Sequence, residues 1–241
     1  MDLTPFELYF IGPANIVFVV ISLIVSIKLI LKYFKLKKKD LLYTGITWFG
    51  IILPWFATSL SFVYTITTGE LISYTSYILI AIPFLPIAVF FWLITFTDLV
   101  AVDKKKVILG LFSIYGIIFE IMFFYLLFTQ PNQLGEMVPP FRPKYAIFIQ
   151  VNLVILIVFA FTTAVIFSIY AMRSSNPEVV LKGKFLLYAF VVFFTVAILE
   201  TIITPDVITI IKRIFMISSA IAFYFGFYLP NWLKDRILEK E

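Results

Sequence analysis

Residues 185–229 read FLLYAFVVFFTVAILETIITPDVITIIKRIFMISSAIAFYFGFYL, two apolar runs joined by a tight turn at Pro205-Asp206, and that pattern decides the fold. The runs, 185 to 203 and 205 to 229, each match the ~20 apolar residues that a helix needs to cross the hydrocarbon core of a bilayer. Stretches such as Phe185 to Leu199 are apolar almost all round, whereas strands of a membrane barrel alternate polar and apolar residues. Helices satisfy every backbone group internally, as lipid demands. At the turn, Thr204 is suited to cap the second run, Pro205 to take its first helical position and Asp206 to complement its dipole.

Five more runs precede this pair, at 9 to 34, 41 to 67, 75 to 98, 107 to 129 and 146 to 171. A chain of 241 residues that is 62% hydrophobic and 14% charged, with a mean hydropathy of +1.06, has too little polar surface to cover a soluble globule. The class predicted is all-α: a polytopic membrane protein, one seven-transmembrane-helix bundle spanning residues 1–241. The first run carries Asp2 and Glu7 ahead of it and its positive charge behind it, which is the reverse of a cleaved signal peptide.

Charge gives the orientation. Of the 19 Lys and Arg, only Arg142, Lys144, Lys212 and Arg213 fall on one side of the predicted membrane; the remainder, including Lys37, Lys38, Lys39 and Lys104 to Lys106, fall on the other. The basic side is expected to be cytoplasmic, which puts the N-terminus outside and the C-terminus in the cytoplasm of a multi-pass cell-membrane protein. This asymmetry accounts for the net charge of +5 and would attract anionic headgroups. No basic face with interleaved aromatics lies outside the membrane, so no nucleic-acid partner is expected.

The absence of Cys and His narrows the chemistry. It removes thiol redox reactions, disulfides, His-held haem, His and Cys zinc sites and Ser-His dyads. Membrane metalloproteases with an H-E-x-x-H helix fall with them. An aspartyl protease needs two facing Asp, and the chain offers a lone Thr97-Asp98 at a span end. A retinal protein needs a Lys near the middle of the last span, near Phe215 to Ser218, and Lys212 lies about a turn and a half away. No cofactor and no catalytic group are expected.

Prolines interrupt the first three spans at Pro13, Pro54, Pro83 and Pro86, with kinks expected at the last two, and leave the fourth to sixth uninterrupted. That asymmetry argues against a carrier built from two matching repeats. The 130–145 loop, with Pro131, Pro139, Pro140 and Pro143, is expected to be extended and stiff. Asn176-Pro177-Glu178 reads as a helix start ahead of the sixth span. Residues 231–238 read as a short amphipathic helix on the bilayer surface. The four Trp are read chiefly as interfacial anchors and packing.

Ionisable residues within spans are functional candidates by default. Glu120 lies roughly 20 Å from one end of its span and 14 Å from the other, close to the midplane. It is either a carboxyl tied to a neighbouring helix, a ligand anchor, or a proton or cation site. Glu200 and the pair Lys212 and Arg213 flank the tight turn at similar depth, so an ion pair between Glu200 and Lys212 is cheap. The cations could equally snorkel outward or bind an anionic ligand. Asn15, Gln150 and Asn152 lie roughly 6 to 9 Å below the outer surface. With Glu120, Glu200, Lys212 and Arg213 they form an outer-half polar layer, which is either helix glue or the lining of a small-molecule site.

In its overall plan, and in Phe225-Gly226-Phe227-Tyr228-Leu229-Pro230-Asn231-Trp232, the chain resembles the seven-helix sensor regions of membrane-bound prokaryotic histidine kinases and related stand-alone archaeal proteins. That resemblance implies a receptor-like sensor; since about a dozen residues follow the last span, its output would pass to a separate cytoplasmic signalling partner. A small-solute or proton-coupled transporter working through Glu120, and a non-catalytic membrane assembly subunit, are the competing readings.

Overall fold

Backbone hydrogen bonding and apolar side chains leave this chain little alternative to helix, and the computed structural model is almost wholly helical. It describes residues 4–138, 141–202 and 206–238. A π-helical turn at Glu7–Ile11 leads into α1 (Gly12–Leu36); α2 (Lys39–Ile51), α3 (Leu53–Thr68), α4 (Tyr74–Ala81) and α5 (Phe84–Leu99) follow. After a 3-10 turn come α6 (Lys105–Thr129), a hairpin of β1 (Gly135–Val138) and β2 (Arg142–Tyr145), then α7 (Ile147–Met172), α8 (Pro177–Ile202), α9 (Asp206–Phe227) and α10 (Asn231–Leu238).

Six stretches are long and apolar enough to cross a membrane: Glu7–Leu36, Tyr74–Leu99, Val102–Thr129, Ile147–Met172, Pro177–Glu200 and Ile208–Phe227. The remaining predicted span, 41 to 67, is the pair α2 and α3, bent by 45°. The bend falls at Ile52, just ahead of Pro54, whose ring cannot sit in an unbroken helix. Pro83 acts likewise between α4 and α5. Asn176 caps α8 as its sequence requires, its Oδ1 accepting from the Glu178 N–H at 2.9 Å. The expected cap at Thr204 and Pro205 lies outside the described residues.

The helices close a ring: α1 packs on α2 and α9, α9 on α8, α8 on α7, α7 on α5, and α5 on α2. In a bilayer, whose tails are as apolar as Leu, close van der Waals fit and interhelical hydrogen bonds would hold such a ring. Small residues let the backbones approach. A Cβ on Gly50 would overlap Ala88, and one on Gly45 would press on Ile30 and the Ser26 carbonyl; Ser26 Oγ donates to the Gly45 carbonyl at 2.8 Å.

Trp48 and Trp92 fill the ring's centre, both essentially inaccessible. Trp48 stacks on Phe223 with centroids 4.2 Å apart, and Trp92 meets Phe167 and Phe190 edge-on while its indole N–H donates to Thr163 at 2.8 Å. Of the anchor and packing roles expected from sequence, these two take packing, their flat rings filling the space between converging helices. Trp232, on α10, is exposed.

α6 stands outside the ring on α5, and its buried stripe Phe112, Phe119, Phe123 and Leu127 reaches α7 through Phe159 and Phe148.

The Pro-rich loop is extended, as expected, over Gly135–Val138 and Arg142–Tyr145, and beyond that expectation it pairs with itself as an antiparallel hairpin in the register Gly135 with Tyr145 and Met137 with Pro143. Pro143 lacks an N–H, which a two-stranded ribbon with two open edges tolerates. Gly135 makes the entry, with φ of 139° and no room for a Cβ beside the Lys144 carbonyl and the Tyr74 ring. Tyr74 pins the hairpin to α4 by donating to the Leu134 carbonyl at 2.8 Å.

A candidate binding site beneath the hairpin

The break before α3 turns its first carbonyls toward the ring interior, where side chains from other helices find them. Tyr77 Oη donates to the Pro54 carbonyl at 3.2 Å and Thr58 Oγ1 to the same oxygen at 2.9 Å. Asn15, buried on α1, donates its amide to the Trp55 carbonyl at 3.0 Å and to Ser59 Oγ at 2.8 Å. Its carboxamide therefore ties α1 to α3 across the bend.

Next to this seam lie the charges. Glu200 of α8 accepts the Trp55 indole N–H on one oxygen at 2.7 Å and the Arg213 guanidinium on the other at 2.5 Å. Arg213 and Lys212 are both buried, at 6% and 5% exposure, so neither snorkels to the surface. The ion pair expected between Glu200 and Lys212 is made instead by Arg213. Lys212 remains close enough for the charges of Glu200, Arg213 and Arg142 to act on it. Arg213 Nη1 also reaches Met216 Sδ at 3.3 Å, while its Nε is buried without an acceptor among the described residues.

Phenols complete the cluster. Tyr77 Oη lies 3.0 Å from Thr58 Oγ1 and 3.3 Å from Tyr145 Oη, and the charges of Glu200 and Arg213 act on it. Desolvation, with Tyr77 beside it, pushes the Tyr145 hydroxyl well above the usual phenol range, so Tyr145 stays neutral. The hairpin that carries Tyr145 and Arg142 roofs the cluster.

The predicted polar layer thus divides. Asn15, Glu200, Lys212 and Arg213 surround the seam under the hairpin. Asn152 instead accepts from Tyr115 Oη at 3.0 Å and donates to the Phe148 carbonyl at 2.7 Å, a link between α6 and α7. Glu120 is half-buried on the same peripheral helix, its Oε1 without a hydrogen-bond partner among the described residues. Gln150 is exposed and donates to the Tyr145 carbonyl at 2.8 Å, which finishes the start of α7.

Sequence reading missed Trp55, Thr58, Tyr77 and Tyr145. Trp55 follows the helix-breaking Pro54, which is a usable signal; nothing local to Tyr77 or Tyr145 announces their meeting.

Chemically, the cluster offers cations, a carboxylate and neutral donors in a place poor in water. It suits recognition of a small polar or anionic group. Among the described residues, no group of three Asp or Glu could hold a metal ion. No known protein family matches the chain, and no curated protein matches it.

Proposed function

We propose that this chain is a seven-span receptor-like sensor, amino terminus outside and carboxyl terminus cytoplasmic, that binds a small anionic ligand under the hairpin and passes its signal to a separate partner. The observation that carries this reading is the Arg213–Glu200 pair, with the Trp55 indole on the second carboxylate oxygen. Buried ion pairs are weak stabilisers, because desolvation offsets most of their attraction, and charge within the bilayer depth is costly. A guanidinium held there by one carboxylate among the described residues can exchange it for a ligand anion, and the exchange would loosen the link from α8 to α9 and α3.

The test is thermal unfolding of the purified full chain against a panel of small carboxylates and phosphates. A ligand at a hundred times its Kd should stabilise by about 2.7 kcal/mol. Arg213→Gln should abolish that shift. Glu200→Gln, which removes the competing carboxylate but can keep an acceptor for Trp55, should tighten binding. No shift from any anion, or equal shifts in wild type and Arg213→Gln, would end the proposal.

Glu120 supports a second reading, proton-coupled transport, because its buried Oε1 lacks a partner among the described residues near the middle of α6. In liposomes, flux of protons or solute should then vanish in Glu120→Gln. Flux indifferent to that substitution removes this reading and leaves the first untouched.

A further inference from the structure

At the far end of α8 and α9 from Arg213, the two helices part to leave a groove of about 480 Å³, lined by Leu181, Lys184, Phe185, Tyr188, Ser218 and Phe225 among others. This lies within the usual size range of small-molecule sites. Its walls are apolar, and its hydroxyls are satisfied: Tyr188 Oη and Ser218 Oγ bond each other at 2.9 Å, and Ser218 donates to the Phe215 carbonyl at 2.8 Å. The groove faces outward from the ring, so in a bilayer its natural filling is an acyl chain.

The charge at its mouth selects the headgroup. α8 carries two lysines in this region, and they differ. Lys182 is bound to Glu178 at 2.7 Å, and that carboxylate also takes Lys234 of α10 at 2.7 Å. Lys184 is exposed at the groove and makes no ion pair among the described residues. Trp232, edge-on to Phe225 with centroids 6.3 Å apart and 61% exposed, sits beside the mouth with the amphipathic ring that marks a membrane interface. An ammonium above an apolar slot, at interfacial level and on the Lys-rich face, matches a phosphate headgroup above a lipid tail.

We infer that the α8–α9 groove binds one anionic phospholipid, its acyl chain between Tyr188 and Phe225 and its headgroup phosphate on Lys184. The site does not depend on the ligand reading at Arg213, since no residue is shared.

Native mass spectrometry of the full chain in mild detergent, with matched-chain phosphatidylglycerol and phosphatidylcholine in equal amounts, tests it. One phosphatidylglycerol should be retained per chain with a preference of about fivefold. Lys184→Gln should bring the preference close to unity, while Lys106→Gln, elsewhere on the same face, should leave it intact. Ser218→Phe, which fills the groove, should lower retention of both lipids, and a photoactivatable acyl chain should label Tyr188 or Phe225. A wild type with no headgroup preference, a preference surviving Lys184→Gln, or a groove occupied by a second copy that cross-links through Tyr188 would each overturn the inference.

Discussion

Glu200→Ala is expected to cost up to about 3–5 kcal/mol of stability, the range for leaving a buried charge without its partner, since Arg213 is buried while Glu200 is 22% exposed. Three groups lose their acceptor or counter-charge together. Arg213, 6% exposed, keeps its charge inside the ring without the carboxylate 2.5 Å away. The Trp55 indole N–H loses its acceptor. Lys212 loses one of the attractions that act on it. The double substitution Glu200→Leu with Arg213→Met removes both charges at once and should recover most of the loss, since apolar replacement of a buried pair is often neutral or stabilising. Unfolding in mixed micelles, followed by Trp fluorescence, gives the double-mutant cycle. If Glu200→Ala stays within about 0.5 kcal/mol of wild type, the margin ordinary at surface positions, Arg213 is not buried against Glu200 in the folded protein.

That cycle bears on what sequence can and cannot disclose. The six long apolar helices, and the bent α2–α3 pair, were legible because a bilayer-crossing helix needs a length and a composition that a window of residues either has or lacks. The breaks at Pro54 and Pro83 and the Asn176 cap were legible because their causes are local. The choice between Lys212 and Arg213 was not, because adjacent residues on a helix point about 100° apart. Which of them meets Glu200 depends on how α9 is turned against α8, and that is set by contacts elsewhere, such as Ser219 Oγ donating to the Ala189 carbonyl at 2.9 Å. The same limit hid Trp55, whose carboxylate partner is 145 residues away. Position along the helix could be counted for Glu120 and Asn152, but the direction each faces could not, so they were grouped with the others although Glu120 lies on α6, outside the ring, and Asn152 turns toward α6 through Tyr115. The hairpin was obscured for a different reason: four prolines predict an extended, stiff segment but say nothing of pairing, and only Pro143 falls within a described strand, at an edge that needs no donor there.

Gly50→Leu should be the most damaging single change in the apolar part of the bundle. α2 and α5 meet at this glycine so closely that a Cβ would occupy the place of the Ala88 side chain and lie 3.3 Å from the Phe84 carbonyl oxygen. Backbone cannot swing aside as the end of a flexible side chain can, so the two helices must separate. Separation breaks the bond from Thr47 Oγ1 to the Ala88 carbonyl, 3.1 Å long, and disturbs Trp48, two residues earlier, where it stacks on Phe223. Overpacking of a filled interior costs about 1–3 kcal/mol and sometimes more; the lost interhelical bond adds about 0.6–2 kcal/mol. Gly110→Leu is the matched control, because a Cβ there meets nothing within 4 Å and leucine is the better helix former by somewhat less than ~1 kcal/mol. Melting temperature and monodispersity after extraction should therefore fall sharply for Gly50→Leu and hold or rise for Gly110→Leu. Equal behaviour of the two variants would mean that α2 and α5 do not make this close crossing, and the ring that brings Trp55 to Glu200 would lose its geometric basis.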